Sequence, residues 1–138
     1  MKRVVRWMHT AWRYAWPGPY TVLGLWLMVA PWGGQRQWIV YRGTVGIVGP
    51  GVARLLALAP IEGGAAALTL GHAILAVSES AFYNTWEHEY AHVRQYERWG
   101  ILFVPAYLAS GWWQWLHGRD AYWDNGFEVE ARSASEQA

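Results

Sequence analysis

The chain has 138 residues, no cysteine, 54% hydrophobic and 17% aromatic residues, 15% charged residues and a formal net charge of +1. That length suits one domain, 1–138, and so much apolar surface excludes intrinsic disorder; without cysteine there is neither a disulfide scaffold nor a thiolate site, so any metal must be held by His, Asp or Glu. Twelve tryptophans are more than a core of this size can easily enclose with every indole N–H satisfied, so some are expected to face a membrane interface or a partner.

Charge divides along the chain. Up to Ala66, Lys2, Arg3, Arg6, Arg13, Arg36, Arg42 and Arg54 stand against Glu62 alone, a net of +6. From Ala67 onward four arginines stand against nine carboxylates, a net of −5. A basic half rich in tryptophan suits peripheral contact with an anionic membrane, through phosphate contacts and indoles at headgroup depth. The alternative is that the charges only keep an apolar protein in solution. Nucleic acid is not an expected partner, because dispersed cations form no stripe and no recognisable module accompanies them.

In chain order, Val4 to Trp16 lacks Pro and Gly and is predicted helical; Pro17, Gly18 and Pro19 enforce a break before apolar Tyr20–Ala30, and Pro31-Trp32-Gly33-Gly34 closes that stretch. Residues 1–34 thus read as an apolar, basic helical segment. The run Tyr20–Trp32 is roughly seven residues short of the approximately 20 that cross a bilayer. Arg13 and Pro17 interrupt the approach to it and no small-residue cleavage pattern follows, so it is expected to be retained, on a protein in the cytoplasm or peripheral to the cytoplasmic face of the membrane.

Residues 35–82 form the sheet region. Trp38–Val48 is β-branched and aromatic, Ala65–Ser78 has similar strand-like quality around Gly71, and together they predict a small antiparallel sheet. Between them Gly49-Pro50-Gly51 signals a turn, and Val52–Ala59 fits a strand or a short helix. Residues 83–132 carry the polar segment Tyr83–Trp99, predicted helical with Asn84 or Thr85 as N-cap and Gly100 as its stop. The apolar stretch Ile101–Ser110 then leads into Trp112, Trp113 and Trp115, with Pro105 and Gly111 arguing against an uninterrupted span. A C-terminal helix around Asp124–Ala131 follows, and Ser133–Ala138 reads as a frayed tail. The expected architecture is α+β: the sheet packs on the Tyr83–Trp99 helix and the C-terminal helix.

The chemistry lies in Trp86-Glu87-His88-Glu89-Tyr90-Ala91-His92. His88 and His92 are four residues apart, about 40° from one another on a helix, so both imidazoles can reach one ion. Glu89, roughly 100° around from His88, can reach a water at that ion without being a ligand. A chance match to H-E-x-x-H is expected in only about one shuffled sequence in a hundred of this composition. A catalytic zinc usually takes three protein ligands, so a third must come from elsewhere, and Glu128 and Glu130 are the candidates. They lie about 200° apart in helical projection, so only one can point at the histidines.

HEYAH, followed 36 residues after its second histidine by Glu128-x-x-Ala131, resembles the gluzincin metallopeptidases. In that group a second helix supplies a glutamate followed three residues later by a small residue. The resemblance places the third ligand at Glu128, with Glu130 as the fallback, and implies Zn2+ as cofactor and a peptide or protein substrate. Arg132 stands where the gluzincin pattern often has aspartate. TLGHAIL, HEYAHVRQYERWGILFVPAYL and GRDAYWDNGFEVEA also resemble a group of small uncharacterised bacterial HExxH proteins, a likeness that covers the second half of the chain.

Further candidates are His72, as an active-site donor, a ligand or a structural histidine; Gln95 and Glu97, to orient ligands or to pair with Arg94 and Arg98; and His117, Arg119, Tyr107 and Tyr122, as oxyanion donors. Trp112, Trp113 and Trp115 could wall an apolar cleft. The favoured expectation is a zinc hydrolase acting on peptide bonds, with His88, His92 and Glu128 on the metal and Glu89 as general base. The rival is a non-catalytic zinc-stabilised scaffold, docking to a membrane or a partner through the tryptophan-rich half or assembling as a homo-oligomer.

Overall fold

A computed structural model describes residues 2–30 and 34–138; the predicted closure at Pro31-Trp32-Gly33 lies outside the described residues. Helices α1 (Lys2–Ala15) and α2 (Gly18–Val29) occupy the predicted N-terminal helical segment, parted at Pro17. Pro19 sits in the first turn of α2, where its missing N–H is no loss because the first N–H groups of a helix have no intrahelical acceptor.

The sheet region contains strands β1 (Gln37–Tyr41) and β2 (Thr44–Val48), helix α3 (Pro50–Leu56), and strands β3 (Ala67–Leu70) and β4 (Ala73–Ala76). Trp38–Val48 is therefore a hairpin rather than one strand, turning at Arg42-Gly43 with φ of 45° and 81°, the left-handed pair that a two-residue type I′ turn needs. The Gly49-Pro50-Gly51 signal starts a helix, with Pro50 in its first turn, and settles Val52–Leu56 as helical.

The strand order is β1-β2-β4-β3. The two hairpins are antiparallel as expected, but the central pair departs from expectation: Val45–Val48 runs parallel to Ala73–Ala76, so the sheet is mixed. A parallel pair is stable where both faces are covered. Ile74 and Ala76 pack with Phe82, Trp86 and Val93 on one side, while Ala73 and Leu75 pack with Met28, Val52 and Leu56 on the other. Burial on both faces is why β4 reads as an unbroken apolar run, without alternation.

The predicted helix Tyr83–Trp99 is two helices, α4 (Glu79–Asn84) and α5 (Trp86–Trp99). Ser78 caps α4 by accepting from the Ala81 N–H, whereas the Thr85 hydroxyl donates back to the Ala81 carbonyl and leaves the start of α5 uncapped. Gly100 ends α5, and a 3-10 turn (Gly100–Leu102) leads into α6 (Phe103–Leu116). Neither Pro105 nor Gly111 interrupts α6. Pro105 lies in its first turn, and Gly111 makes room for a close approach: a Cβ there would sit 2.8 Å from the Ala121 carbonyl oxygen and 3.3 Å from Asn125 Nδ2. Helix α7 (Gly126–Glu136) continues through most of the predicted tail. Among the described residues no helix is long and apolar enough to cross a membrane.

Candidate metal centre

Two helices and one strand build the site. Helix α5 turns Glu89, His92 and Gln95 inward, packed between α7 and strand β3. Asn125 begins α7, its side chain accepting from the Phe127 N–H and donating to the Tyr107 carbonyl, which ties the start of α7 to α6. Glu128 stands three residues after that cap, where glutamate often folds back onto the cap's N–H. Here the Asn125 N–H is taken by the Tyr122 carbonyl, so the Glu128 carboxylate is free to turn towards α5.

His88 Nε2 and His92 Nε2 lie 3.1 Å apart; Glu128 Oε2 is 3.1 Å from His88 Nε2 and Glu128 Oε1 is 3.4 Å from His92 Nε2. Ligands at about 2.0–2.1 Å from a tetrahedral cation stand roughly 3.3–3.4 Å from one another, so the spacing suits a zinc-sized ion. Glu128 Oε2 is buried without a hydrogen-bond partner, an orphaned acceptor aimed at the same point. Two neutral imidazoles and a carboxylate are the donor set zinc accepts, and the residues present therefore fit the group.

A second layer steers these donors. His92 Nδ1 is 2.8 Å from Gln95 Oε1, and the Gln95 amide donates to the Phe127 carbonyl and to Glu130, fixing the ring and the α5–α7 contact together. The Tyr107 hydroxyl donates to Glu128 Oε1 at 2.6 Å. Glu130 turns away to Gln95 and Arg98. Arg132 donates to the Trp123 carbonyl and lies over the Trp123 ring, so ligand support comes from Gln95 and Tyr107 instead.

Glu89 is buried and lines a cavity of about 540 Å³ that His88, His92 and Glu128 also line. Its Oε2 accepts a 2.6 Å hydrogen bond from the Thr69 hydroxyl, leaving Oε1 without that partner. Thr69 escaped the sequence reading; its only signal is a lone hydroxyl residue amid the apolar run of β3. Tyr122 lines the cavity too, and burial, then the negative charge of Glu128, pushes its phenol up to about 12, which keeps it a hydrogen-bond donor at neutral pH.

The remaining candidates lie elsewhere. His72 is 3.1 Å from Glu97, which also takes Arg13, so Glu97 pairs across the fold rather than with Arg94 or Arg98. His117 bonds the Trp113 carbonyl and Arg119 bonds Gln114. Of the three tryptophans of α6, Trp112 lines the cavity and Trp113 and Trp115 do not.

Burial pushes the His92 imidazole down, but its hydrogen bond to Glu128 and the charges of Glu89 and Glu128 outweigh this and hold it above its ordinary value of 6.5. Burial raises the Glu128 carboxyl, and the imidazoles of His88 and His92 beside it more than reverse that, holding it far below the carboxylate range. In the metal-free protein the raised His92 value stabilises fully below 6.5, and that contribution is lost as pH rises through it. The Glu128 contribution is present above the ordinary 4.5 and is lost on acidification. A metal needs His92 neutral and must displace its proton, so zinc affinity is expected to climb with pH, by up to about tenfold per pH unit, for as long as His92 is protonated in the metal-free protein. Calorimetric titration in two buffers of different ionisation enthalpy measures that release; zinc binding below pH 6.5 with no proton released would remove His92 from the ligand set.

Comparison of the chain with models of known protein families, with curated proteins and with solved structures brought no match.

Proposed function

We propose that this chain is a zinc-dependent hydrolase that cleaves peptide bonds. The convergence of His88, His92 and Glu128 beside Glu89, at the wall of a cavity, carries the reading. A cation bound by those three side chains would supply Lewis acidity, lowering the pKa of a water and polarising a carbonyl. Glu89 takes the proton of the attacking water on Oε1, while Thr69 holds Oε2, and it returns that proton to the leaving amine. Tyr122 donates to the carbonyl oxygen as negative charge develops there.

A peptide substrate is supported by β3. It is an edge strand, Ala67 to Leu70 line the cavity, and its two-residue hairpin makes Leu70 and Ala73 a hydrogen-bonded pair. The alternation of such a pairing turns the backbone groups of Ala67 and Thr69 outward, where an extended peptide can add as a further strand. The scaffold reading needs a fourth protein ligand to close the ion's coordination; among the described residues the group has three.

Purified protein loaded with one equivalent of zinc is expected to cleave a fluorogenic peptide pool, to stop on chelation and to recover on zinc addition. Zinc bound without hydrolysis in any pool would favour the scaffold; absence of zinc binding would remove the centre.

A further inference from the structure

We infer that α1, α2 and α6 form a docking face for the surface of an anionic phospholipid bilayer. The first observation is the inverted seating of α1. On a 100° helical projection Met8, Ala11, Trp12 and Ala15 gather on one side, and Arg6, His9 and Arg13 on the other. A helix covering a water-soluble core turns its apolar side inward. Here the polar edge is the side held to the protein, since Arg13 makes two hydrogen bonds to Glu97, at 2.9 and 3.1 Å, while Tyr14 stacks on His72. Every residue from Val5 to Ala15 is exposed, with Trp7 at 75% and Met8 at 65%.

The apolar surface continues beyond α1. Of the 25 large hydrophobic side chains exposed among the described residues, 17 lie on α1, on α2 or between Ile101 and Leu116. The parts adjoin: Tyr20 of α2 bonds the Ile101 carbonyl, and Ile101 and Leu102, both exposed, lead into the outward Trp112, Trp113, Trp115 and Leu116 of α6. So broad an apolar surface marks an interaction site.

Charge selects the occupant. Residues 2–29 contain Lys2, Arg3, Arg6 and Arg13 and no carboxylate; Arg13 is matched by Glu97, which leaves three cations without a carboxylate on their own segment, and α6 contains no charged residue at all. The carboxylates lie in the Glu62 turn, on α4, α5 and α7, and in the loop before α7. Exposed indoles beside arginines, on helices too short to span, match the headgroup region of a bilayer with acidic lipids. A second copy fits less well, because it would bring two cationic faces together. Leu108 and Trp112 are exposed on this face and also line the cavity, so docking opens the cavity at headgroup depth. That consequence rests on the hydrolase reading; the docking does not.

Co-sedimentation of the full chain with vesicles tests this. Binding is expected to phosphatidylcholine vesicles containing a third phosphatidylglycerol, with a blue shift of tryptophan fluorescence, and about tenfold or more weaker binding to pure phosphatidylcholine or at high salt. Trp7→Ser with Met8→Ser is expected to weaken binding by about tenfold or more, with an unchanged circular dichroism spectrum, because neither side chain is buried. Val40→Ser, exposed on β1, serves as a control that leaves binding intact. No binding to either vesicle, equal binding by the double variant, or a dimer that forms through this face while vesicles are ignored would each overturn the proposal. Zinc binding and peptide turnover in detergent-free buffer report on the metal centre separately.

Discussion

Glu89→Gln is expected to keep zinc bound at close to wild-type affinity while lowering kcat/KM for peptide hydrolysis by about 10²–10⁴-fold, the span a positioned general base contributes. The substitution preserves shape, and the new amide oxygen can still accept from the Thr69 hydroxyl, so the local packing survives. What disappears is a carboxylate able to take the proton of the attacking water. Because Glu89 is not among the three convergent donors, the metal should remain, and equilibrium dialysis against zinc measures that directly. Thr69→Val provides the graded companion: it removes the 2.6 Å hydrogen bond to the Glu89 carboxylate, together with a longer 3.3 Å contact to the Glu89 carbonyl, so kcat should fall by about tenfold with zinc affinity unchanged. A merely structural threonine would leave kcat in place. Turnover in the Glu89→Gln variant equal to wild type, or loss of its zinc, would show that Glu89 serves another purpose.

The i, i+4 histidine pair was legible because helical geometry alone brings two such rings onto one face, whatever the helix packs against. The choice between Glu128 and Glu130 was not readable from phase, since 200° of separation says that one points inward without saying which. That answer depends on how α7 is rolled. Asn125 anchors its start to α6, Phe127 packs on Trp99, Phe103 and Tyr107, and the roll that satisfies these contacts also turns Glu130 to Gln95 and Arg98. Thr69 was invisible for a related reason: its partner lies 20 residues away on another element, and its placement needs the register of β3 beside α5. The parallel β2–β4 pair is likewise a property of how two hairpins are laid together, which local propensity does not encode. The α+β character was readable from its parts, helical runs free of Pro and Gly beside β-branched runs with glycine turns.

Glu128→Gln is expected to reduce zinc affinity by more than about 100-fold, beyond the 10–100-fold typical of losing an outer-shell partner, whereas Glu130→Gln should cost about tenfold at most. Gln is isosteric and keeps an acceptor for the Tyr107 hydroxyl, so the effect reports lost charge and ligation rather than a cavity. Glu130 reaches the centre only through Gln95, which retains His92 and the Phe127 carbonyl when Glu130 is changed. Thermal unfolding offers a second readout. With free zinc at about 100 times its dissociation constant, the wild type gains roughly 2.7 kcal/mol, or about 8–14 °C in Tm at this chain length, and the Glu128→Gln variant should gain little at the same zinc concentration. Without metal the same variant loses the negative carboxylate that helps hold His92 above 6.5, so the stability this raised value gives the wild type on the acid side is reduced. Wild-type zinc affinity in Glu128→Gln, or its loss in Glu130→Gln alone, would move the third ligand to Glu130 and require α7 to roll away from the seating its aromatic contacts give it.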